Sequence, residues 1–299
     1  MRAVMISQYG DPDVLETGEV PVPETGPGQI LVRTTGSAVN PVDLEIRSGS
    51  ARDNVSVPFP MVLGWDLSGE VAAIGAGVDE FAPGDRVIAM SAQMATGVGT
   101  HAEYVALPAA IAAHAPRTVA LEKAAALPLA GLTALQALEQ LDARPGQSLV
   151  VSGAVGSVGG YAVQLAVSRG LDVTAHVRER DRGAAEGLGA RRVVSGATPG
   201  LDADLLLDTA GIPAAVAHVR DGGRAVSIVP TRPPVTERGI SVAMSFVEQD
   251  GAGLSTLSTL VDKGALTLRV GGRYGFDEAT SAHRRLAAGG SRGKLLILP

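Results

Sequence analysis

The chain contains no cysteine, which excludes disulfides, thiol nucleophiles and every Cys-ligated zinc or iron–sulfur site. Aromatic residues are scarce, with four Tyr, four Phe and one Trp in 299 residues. That is too few for the stacking platforms that hold single-stranded nucleic acid. Positive charge is short as well. The 25 Lys+Arg against 31 Asp+Glu leave a formal net charge of −6, so neither nucleic acid nor an anionic membrane is an expected partner. Unbroken apolar runs are also missing. The uncharged stretch from Pro145 to Ser168 is interrupted by five glycines and by Gln147, Ser152 and Gln164, which divides it into strand, turn and helix rather than a membrane span. After Met1 the chain reaches Gln8, Asp11 and Asp13 before any signal-peptide core can form. A cytoplasmic protein is expected.

What is there fits an ordinary globular protein: 45% hydrophobic and 19% charged residues exclude wholesale disorder, and the length favours two domains. Up to about residue 120 short apolar runs (Ala3–Ile6, Gln29–Thr34, Gly69–Ile74, Arg86–Ala89, Ala102–Leu107) alternate with Gly/Pro clusters, the grammar of a small β-barrel. From Leu121 the text turns Ala-rich and helical, through Glu122–Leu141 to the stop signal Pro145-Gly146. Strands at Ser148–Ser152, Asp172–Val177, Arg192–Val194, Asp204–Leu207 and Arg224–Val229 then alternate with helices at Ser157–Arg169, Arg180–Leu188 and Ala252–Lys263. That alternation predicts an α/β fold with a doubly wound parallel sheet. The tail returns to β at Thr267–Tyr274 and Lys294–Leu298. The expected division is a discontinuous β domain, residues 1–120 and 266–299, beside an α/β domain of residues 121–265.

The central motif is Ser152-Gly153-Ala154-Val155-Gly156-Ser157-Val158-Gly159-Gly160. The spacing is Ala154-x-Gly156-x-x-Gly159, not strict G-x-G-x-x-G. Gly156 lacks a Cβ, so a pyrophosphate can approach the backbone, and Gly159 allows the helix close to the strand. A plain tight turn would use the same glycines, but a strand before and a helix after favour a dinucleotide. Which dinucleotide depends on the end of the next strand, where NAD sites carry Asp or Glu. Here Asp172 opens the strand and the exit is His176-Val177-Arg178-Glu179-Arg180. Arginines suit the 2′-phosphate of NADPH, although a solvated helix start is the alternative and Glu179 or Asp181 could meet a ribose.

Two apparent motifs mislead. Gly289-Gly290-Ser291-Arg292-Gly293 spells G-x-S-x-G, but it lies between a helix and a strand in the wrong order, and six residues follow it. The five histidines have no metal-ligand spacing.

Taken together the motifs resemble the zinc-independent quinone oxidoreductases, the ζ-crystallin-like group of the medium-chain dehydrogenases/reductases. The residues that carry the likeness are Asn40-Pro41-Val42-Asp43, Leu63-Gly64-Trp65-Asp66-Leu67-Ser68-Gly69-Glu70-Val71 and Phe81-Ala82-Pro83-Gly84-Asp85-Arg86-Val87. Ala126-Leu127-Pro128-Leu129-Ala130-Gly131-Leu132-Thr133-Ala134, the glycine turn, Leu207-Asp208-Thr209-Ala210-Gly211 and Arg292-Gly293-Lys294 complete it. Zinc-dependent relatives carry Cys where this chain has Asn40, and Gly-His-Glu where it has Gly64-Trp65-Asp66, so the resemblance implies no metal. It implies a GroES-like β-barrel domain and a Rossmann domain.

It further implies that Asn40 lies near the nicotinamide, Thr133 near its ribose, and Gly153, Ala154, Gly156, Ser157, Val158 and Gly159 at the pyrophosphate. Asp208, Thr209 and Ala210 would line the cofactor, Phe246 and Val247 would meet the carboxamide, and Lys294 would approach the phosphates. Arg178 and Arg180 remain the candidates for the 2′-phosphate. A Tyr common in relatives is replaced by Glu45. A homodimer is the family expectation, with Ser241–Val247 as an edge segment.

The expected activity is NADPH-dependent hydride transfer to a quinone or an α,β-unsaturated carbonyl. An enoyl reductase on a biosynthetic intermediate, or a non-catalytic NADPH-binding protein, stays open. Asn40, Asp43 and Glu45 are the candidate catalytic side chains. Of these Asn40 can donate to a developing oxyanion, while the two carboxylates cannot unless protonated.

Overall fold

The computed structural model describes residues 1–54, 58–196 and 201–299. Its strands, in chain order, are β1 (Arg2–Ile6), β2 (Leu15–Glu19), β3 (Gln29–Val39), β4 (Met61–Val62), β5 (Asp66–Ile74), β6 (Arg86–Met90), β7 (Tyr104–Pro108) and β8 (Ala112–His114). They continue with β9 (Ser148–Ser152), β10 (Asp172–Val177), β11 (Arg192–Ser195), β12 (Ala203–Asp208), β13 (Val219–Ser227), β14 (Ser241–Met244), β15 (Val270–Gly275) and β16 (Lys294–Leu298). Two compact units result: residues 1–129, 249–263 and 268–299, and residues 130–248 with 264–267.

The first unit is β-rich. Its larger sheet runs β15-β16-β3-β5-β6-β8, with β7 also on β3, and its smaller one runs β2-β1-β4. Alternation along β3 sends Ile30 and Val32 inward, where they meet Leu67, Val71, Val87, Val105 and Leu107 in one cluster. The 11-residue β3 is the spine of the unit. β16 lies antiparallel on its far end, with Leu295 opposite Val39, and β5 flanks that end on its other side, with Asp66 opposite Ala38. Segments more than 200 positions apart in the chain therefore converge where β3 stops.

The second unit is a six-stranded parallel sheet in the order β11-β10-β9-β12-β13-β14. Its central strands β9 and β12 are buried almost throughout, as expected of parallel strands covered on both faces. The connection from β12 to β13 is a 3-10 stretch, Pro213–His218, rather than an α-helix.

Three sequence expectations need correction. The single helix expected over Glu122–Leu141 is two, Leu121–Ala124 and Pro128–Gln140, because Pro128 lacks an N–H and suits only a helix start. The boundary between the units accordingly falls after Leu129, not after residue 120. The Gly251–Asp262 helix, expected in the α/β domain, belongs to the β-rich unit. Ser258 Oγ donates to His114 O at 2.9 Å, and Asp262 accepts from the backbone N–H of Arg117 at 2.8 Å. An amphipathic repeat shows that a helix has a face to bury, not which sheet it buries it on. Among the described residues no helix is long and apolar enough to cross a membrane.

Candidate active site

In the α/β unit, strand order reverses between β9 and β12, the switch point at which open parallel sheets bind ligands. The glycine turn follows β9 there. Gly153 has φ +69°, a conformation that L side chains rarely adopt. A Cβ on Gly159 would sit 2.3 Å from Gly153 O, so only glycine permits the Ser157–Ser168 helix to start so close beneath the turn. A Cβ on Gly156 would meet only Gly153 O, at 3.2 Å. Gly156 is the N-cap, and no side chain caps the first N–H groups of that helix. An uncapped helix start at a sheet switch point fits a pyrophosphate. Ser157 and Val158 open the helix, and Ala154 is buried in the turn.

Asp208, at the end of β12, is fully buried. Its carboxylate accepts from the hydroxyls of Ser152 and Ser227 and from the N–H groups of Ala210 (3.2 Å) and Ile212 (3.3 Å). Thr209 Oγ1 donates to Ser152 O at 2.6 Å. Asp208 and Thr209 thus tie the loop after β12 to the end of β9, and the carboxylate faces the protein. Thr133 is buried within the Pro128–Gln140 helix. Phe246 is 69% exposed, with Val247 half-buried beyond it.

At the exit of β10 the arginines are held by neighbours. Arg178 Nε donates to the buried carboxylate of Asp181 at 2.7 Å. Arg182, close behind Arg178 and Arg180 in the sequence, donates to Val193 O at 2.9 Å and to Glu179 at 3.3 Å. Arg180 is exposed. His176 turns inward, its ring edge-on to His218 with centroids 4.9 Å apart, so it does not leave the strand beside Arg178.

In the β-rich unit the end of β3 carries a buried charged cluster. Lys294, 3% exposed, pairs with Asp66, fully buried, at 2.7 Å. Asn40 lies between them: its Oδ1 accepts from Lys294 Nζ, and its Nδ2 donates to Asp66 Oδ2 at 2.9 Å and to Ala38 O at 3.1 Å. The ammonium requires an acceptor and the carboxylate a donor, so the network itself fixes the amide orientation. Both Nδ2 protons are engaged. The expectation that Asn40 donates to an oxyanion is therefore corrected: in this structure its donors face Asp66 and Ala38. Leu129 N completes the cluster by donating to Asp66 Oδ1 at 2.6 Å.

Asp43 accepts from Asn40 N at 2.7 Å and forms the capping box of the Pro41–Ser48 helix. Burial raises its pKa to about 7. Glu45, two positions on, is exposed, because residues two apart on a helix face different sides. The structure brings Asn40, Asp43 and Lys294 together and leaves Glu45 out. Beside them Ser37 Oγ donates to Asp66 O at 2.6 Å and lies 2.7 Å from His101 Nδ1. Ser37 has one proton, already placed, so His101 Nδ1 carries the other. Burial lowers the His101 pKa to about 3, keeping it neutral.

Asp66 is the member of this buried cluster that sequence reasoning did not single out. The signal was Lys294 at the head of the apolar strand Lys294-Leu295-Leu296-Ile297-Leu298: a lysine there demands a buried carboxylate.

The family model described as "Alcohol dehydrogenase GroES-like domain" matches residues 26–117, and that described as "Zinc-binding dehydrogenase" matches residues 183–297. A quinone oxidoreductase of Triphysaria versicolor, named as chloroplastic, is 31% identical over all of this chain and 98% of its own length. The chain belongs to the quinone oxidoreductase group of the medium-chain dehydrogenases/reductases. An Arabidopsis thaliana protein named NADPH-dependent alkenal/one oxidoreductase is 28% identical over the whole chain and 80% of its own length. The solved quinone oxidoreductase of Coxiella burnetii superposes with TM-score 0.89 at 27% identity, over 100% of this chain and 99% of that one. This medium-chain dehydrogenase/reductase therefore combines a GroES-like β domain with a Rossmann sheet, and the family implies a nicotinamide cofactor. Among the described residues no group of three His, Asp or Glu side chains is arranged to hold a metal ion.

Proposed function

We propose that the protein is an NADPH-dependent reductase that passes hydride to a quinone or an α,β-unsaturated carbonyl, with no metal in the reaction. The observation that carries this reading is the glycine turn at the switch point, where Gly153 and Gly159 admit no side chain and the helix start carries no cap. Gly153, Ala154, Gly156, Ser157, Val158 and Gly159 would hold the pyrophosphate on backbone N–H groups, and Asp208, Thr209 and Ala210 would form the adjoining wall. The bound nicotinamide supplies the hydride. Thr133, Phe246, Val247 and Asn40 remain the proposed contacts to its ribose, carboxamide and ring. Lys294, tied to Asp66 and Asn40, would bring positive charge toward the phosphates while keeping the Asn40 amide in one orientation.

Arg178 and Arg180 would read the 2′-phosphate. The Asp181 carboxylate anchors the Arg178 Nε while its side chain stays 52% exposed, so one edge of the guanidinium is prepositioned for an anion. The name of the Arabidopsis relative supports NADPH, and the names of both curated relatives support quinone or enone acceptors. A cytoplasmic homodimer, paired along the Ser241–Val247 edge, accompanies this reading.

The test is NADPH oxidation at 340 nm against a panel of quinones and enones, with NADH in parallel. Turnover with NADPH, at least about 10-fold preferred over NADH and reversed by Arg178→Ala, is the expected result. Equal use of both cofactors would remove the arginine reading. Tight binding of NADPH with no turnover on any acceptor would remove the reductase.

A further inference from the structure

The β-rich unit keeps several buried polar atoms without a partner among the described residues, Thr34 Oγ1, the His283 ring nitrogens and Trp65 Nε1 among them, and the indole N–H is the one set in an apolar, aromatic cluster. Trp65, the single tryptophan of the chain, is 5% exposed, and its Nε1 has no hydrogen-bond partner among the described residues. Arg47 also has an unpaired Nε, but its NH1 donates to Gly10 O at 2.9 Å, which anchors the guanidinium. A buried N–H with no acceptor costs about 1–3 kcal/mol, so a native structure that keeps one invites a ligand atom to complete it.

The position is fixed from both sides. Trp65 O accepts from Ser91 N at 2.8 Å, and the next residue, Asp66, is locked by Lys294, Asn40 and Leu129. Around the indole lies an apolar cluster with Met61 at its core and half-buried Tyr9, Val42, Met94 and Leu129 packed on it. Tyr9 meets Phe59 edge to face, centroids 5.0 Å apart. Gly49 makes room for Tyr9, since a Cβ there would lie 3.0 Å from the ring. A chain with 3% aromatic residues places three of them in this quarter, and aromatic side chains pack well against a flat conjugated ring.

We infer that the Trp65 indole N–H receives the carbonyl oxygen of a ring-conjugated acceptor of the quinone class. This rests on the reductase reading and deepens it. An indole N–H is a donor only and a carbonyl oxygen an acceptor only, so the two are complementary at every working pH. When hydride adds to the conjugated ring, its two electrons leave negative charge on that oxygen, and the reduced nicotinamide becomes oxidised. Trp65 stabilises the charge by a hydrogen bond strongest after transfer. It keeps its own proton, and the oxygen takes one from water. In a chain with no cysteine to add to a quinone, the acceptor meets this donor without a thiol trap.

One tryptophan means one indole N–H resonance, so the test needs no assignment. Protein labelled with 15N-tryptophan and saturated with NADP+, which blocks turnover, is titrated with duroquinone. The expected result is a saturable downfield shift of that resonance, and about 10- to 100-fold lower kcat with duroquinone in Trp65→Phe, with the Kd for NADPH unchanged. Saturable duroquinone binding by calorimetry with an unmoved indole resonance would overturn the inference, as would wild-type kcat in Trp65→Phe. Should Trp65→Phe not fold, the resonance decides alone. A shifted resonance in a protein that reduces no acceptor would sustain the Trp65 contact and remove the reductase reading. Turnover with no shift would do the reverse.

Discussion

The two units build their candidate chemistry from different material. In the α/β unit the site is backbone: Gly153, Gly156 and Gly159 matter for the side chains they lack, and all three lie within seven consecutive residues. In the β-rich unit the site is side chains, and Asn40, Asp66 and Lys294 come from β-strand ends spread across the chain. A backbone site is specified by local steric rules and tolerates change around it. A buried ion pair is specified by register, through Asp66 opposite Ala38 and Leu295 opposite Val39, and it fails as a unit. The first should break by losing cofactor with the fold kept, the second by losing stability.

The sharpest test of that contrast is the ion pair. Lys294→Met should destabilise the protein by about 3–5 kcal/mol, because the Asp66 charge is left buried and unpaired. The double variant Asp66→Asn/Lys294→Met should lose less than Lys294→Met alone. Urea denaturation of the wild type, the two single variants Lys294→Met and Asp66→Asn, and the double variant closes the cycle. A loss under about 1 kcal/mol for Lys294→Met would show the pair to be hydrated rather than buried.

The matching test in the other unit is Gly159→Val. The added Cβ falls 2.3 Å from Gly153 O, so the turn must move, and NADPH affinity should drop by roughly 100-fold or more. Gly156→Ala, with one contact at 3.2 Å, should stay within about 10-fold. Titration of NADPH fluorescence measures both. If the two variants bind alike, the turn adapts and the steric argument is wrong.

This contrast also explains what could be read without coordinates. The parallel sheet, the glycine turn and the return of the tail to β were legible because each follows from a short-range pattern: Gly spacing, strand–helix alternation, Gly/Pro punctuation. The placement of the Gly251–Asp262 helix was not, because Leu254, Leu257 and Val261 would face a core equally well in either unit. The role of Asn40 was half legible. Its residue type allows donation, but only the approach of Lys294 on one side and Asp66 on the other shows where those protons go. Glu45 was a candidate catalytic side chain beside Asn40 and Asp43 in the sequence, and the helix turns it outward.

Buried titratable groups offer a subtler contrast. His101 and His283 are both pushed down to about 3 by burial, below an ordinary value of 6.5. The unfolded chain therefore takes up protons that the folded one refuses, and their contribution is complete above pH 6.5 and lost as pH falls toward 3. Asp43 is pushed up from 3.8 to about 7, so its contribution is complete below 3.8 and lost as pH rises through 7. Between pH 4 and 6.5 two histidines oppose one carboxyl. From these three groups stability should rise with pH by roughly 1.4 kcal/mol per unit between pH 4 and 6, then level off near pH 7. Urea midpoints from pH 4.5 to 8 check this, and a slope of roughly 2.8 kcal/mol per unit near pH 5 would contradict the Asp43 assignment.

Asp43→Asn isolates the smallest effect. The amide oxygen can still accept from Asn40 N, so the capping box should survive at a cost of under about 1 kcal/mol. What should change is the rise between pH 4.5 and 6, which should become about twice as steep because the substituted group no longer carries a proton that the fold retains. Glu45→Gln, on the exposed face of the same helix, should leave the whole pH curve in place. If neither variant steepens the rise, its shallowness arises elsewhere. If only Asp43→Asn steepens it, the buried carboxyl at the helix start holds its proton near neutrality, and the polar cluster at the end of β3 carries one negative charge fewer than its residues suggest.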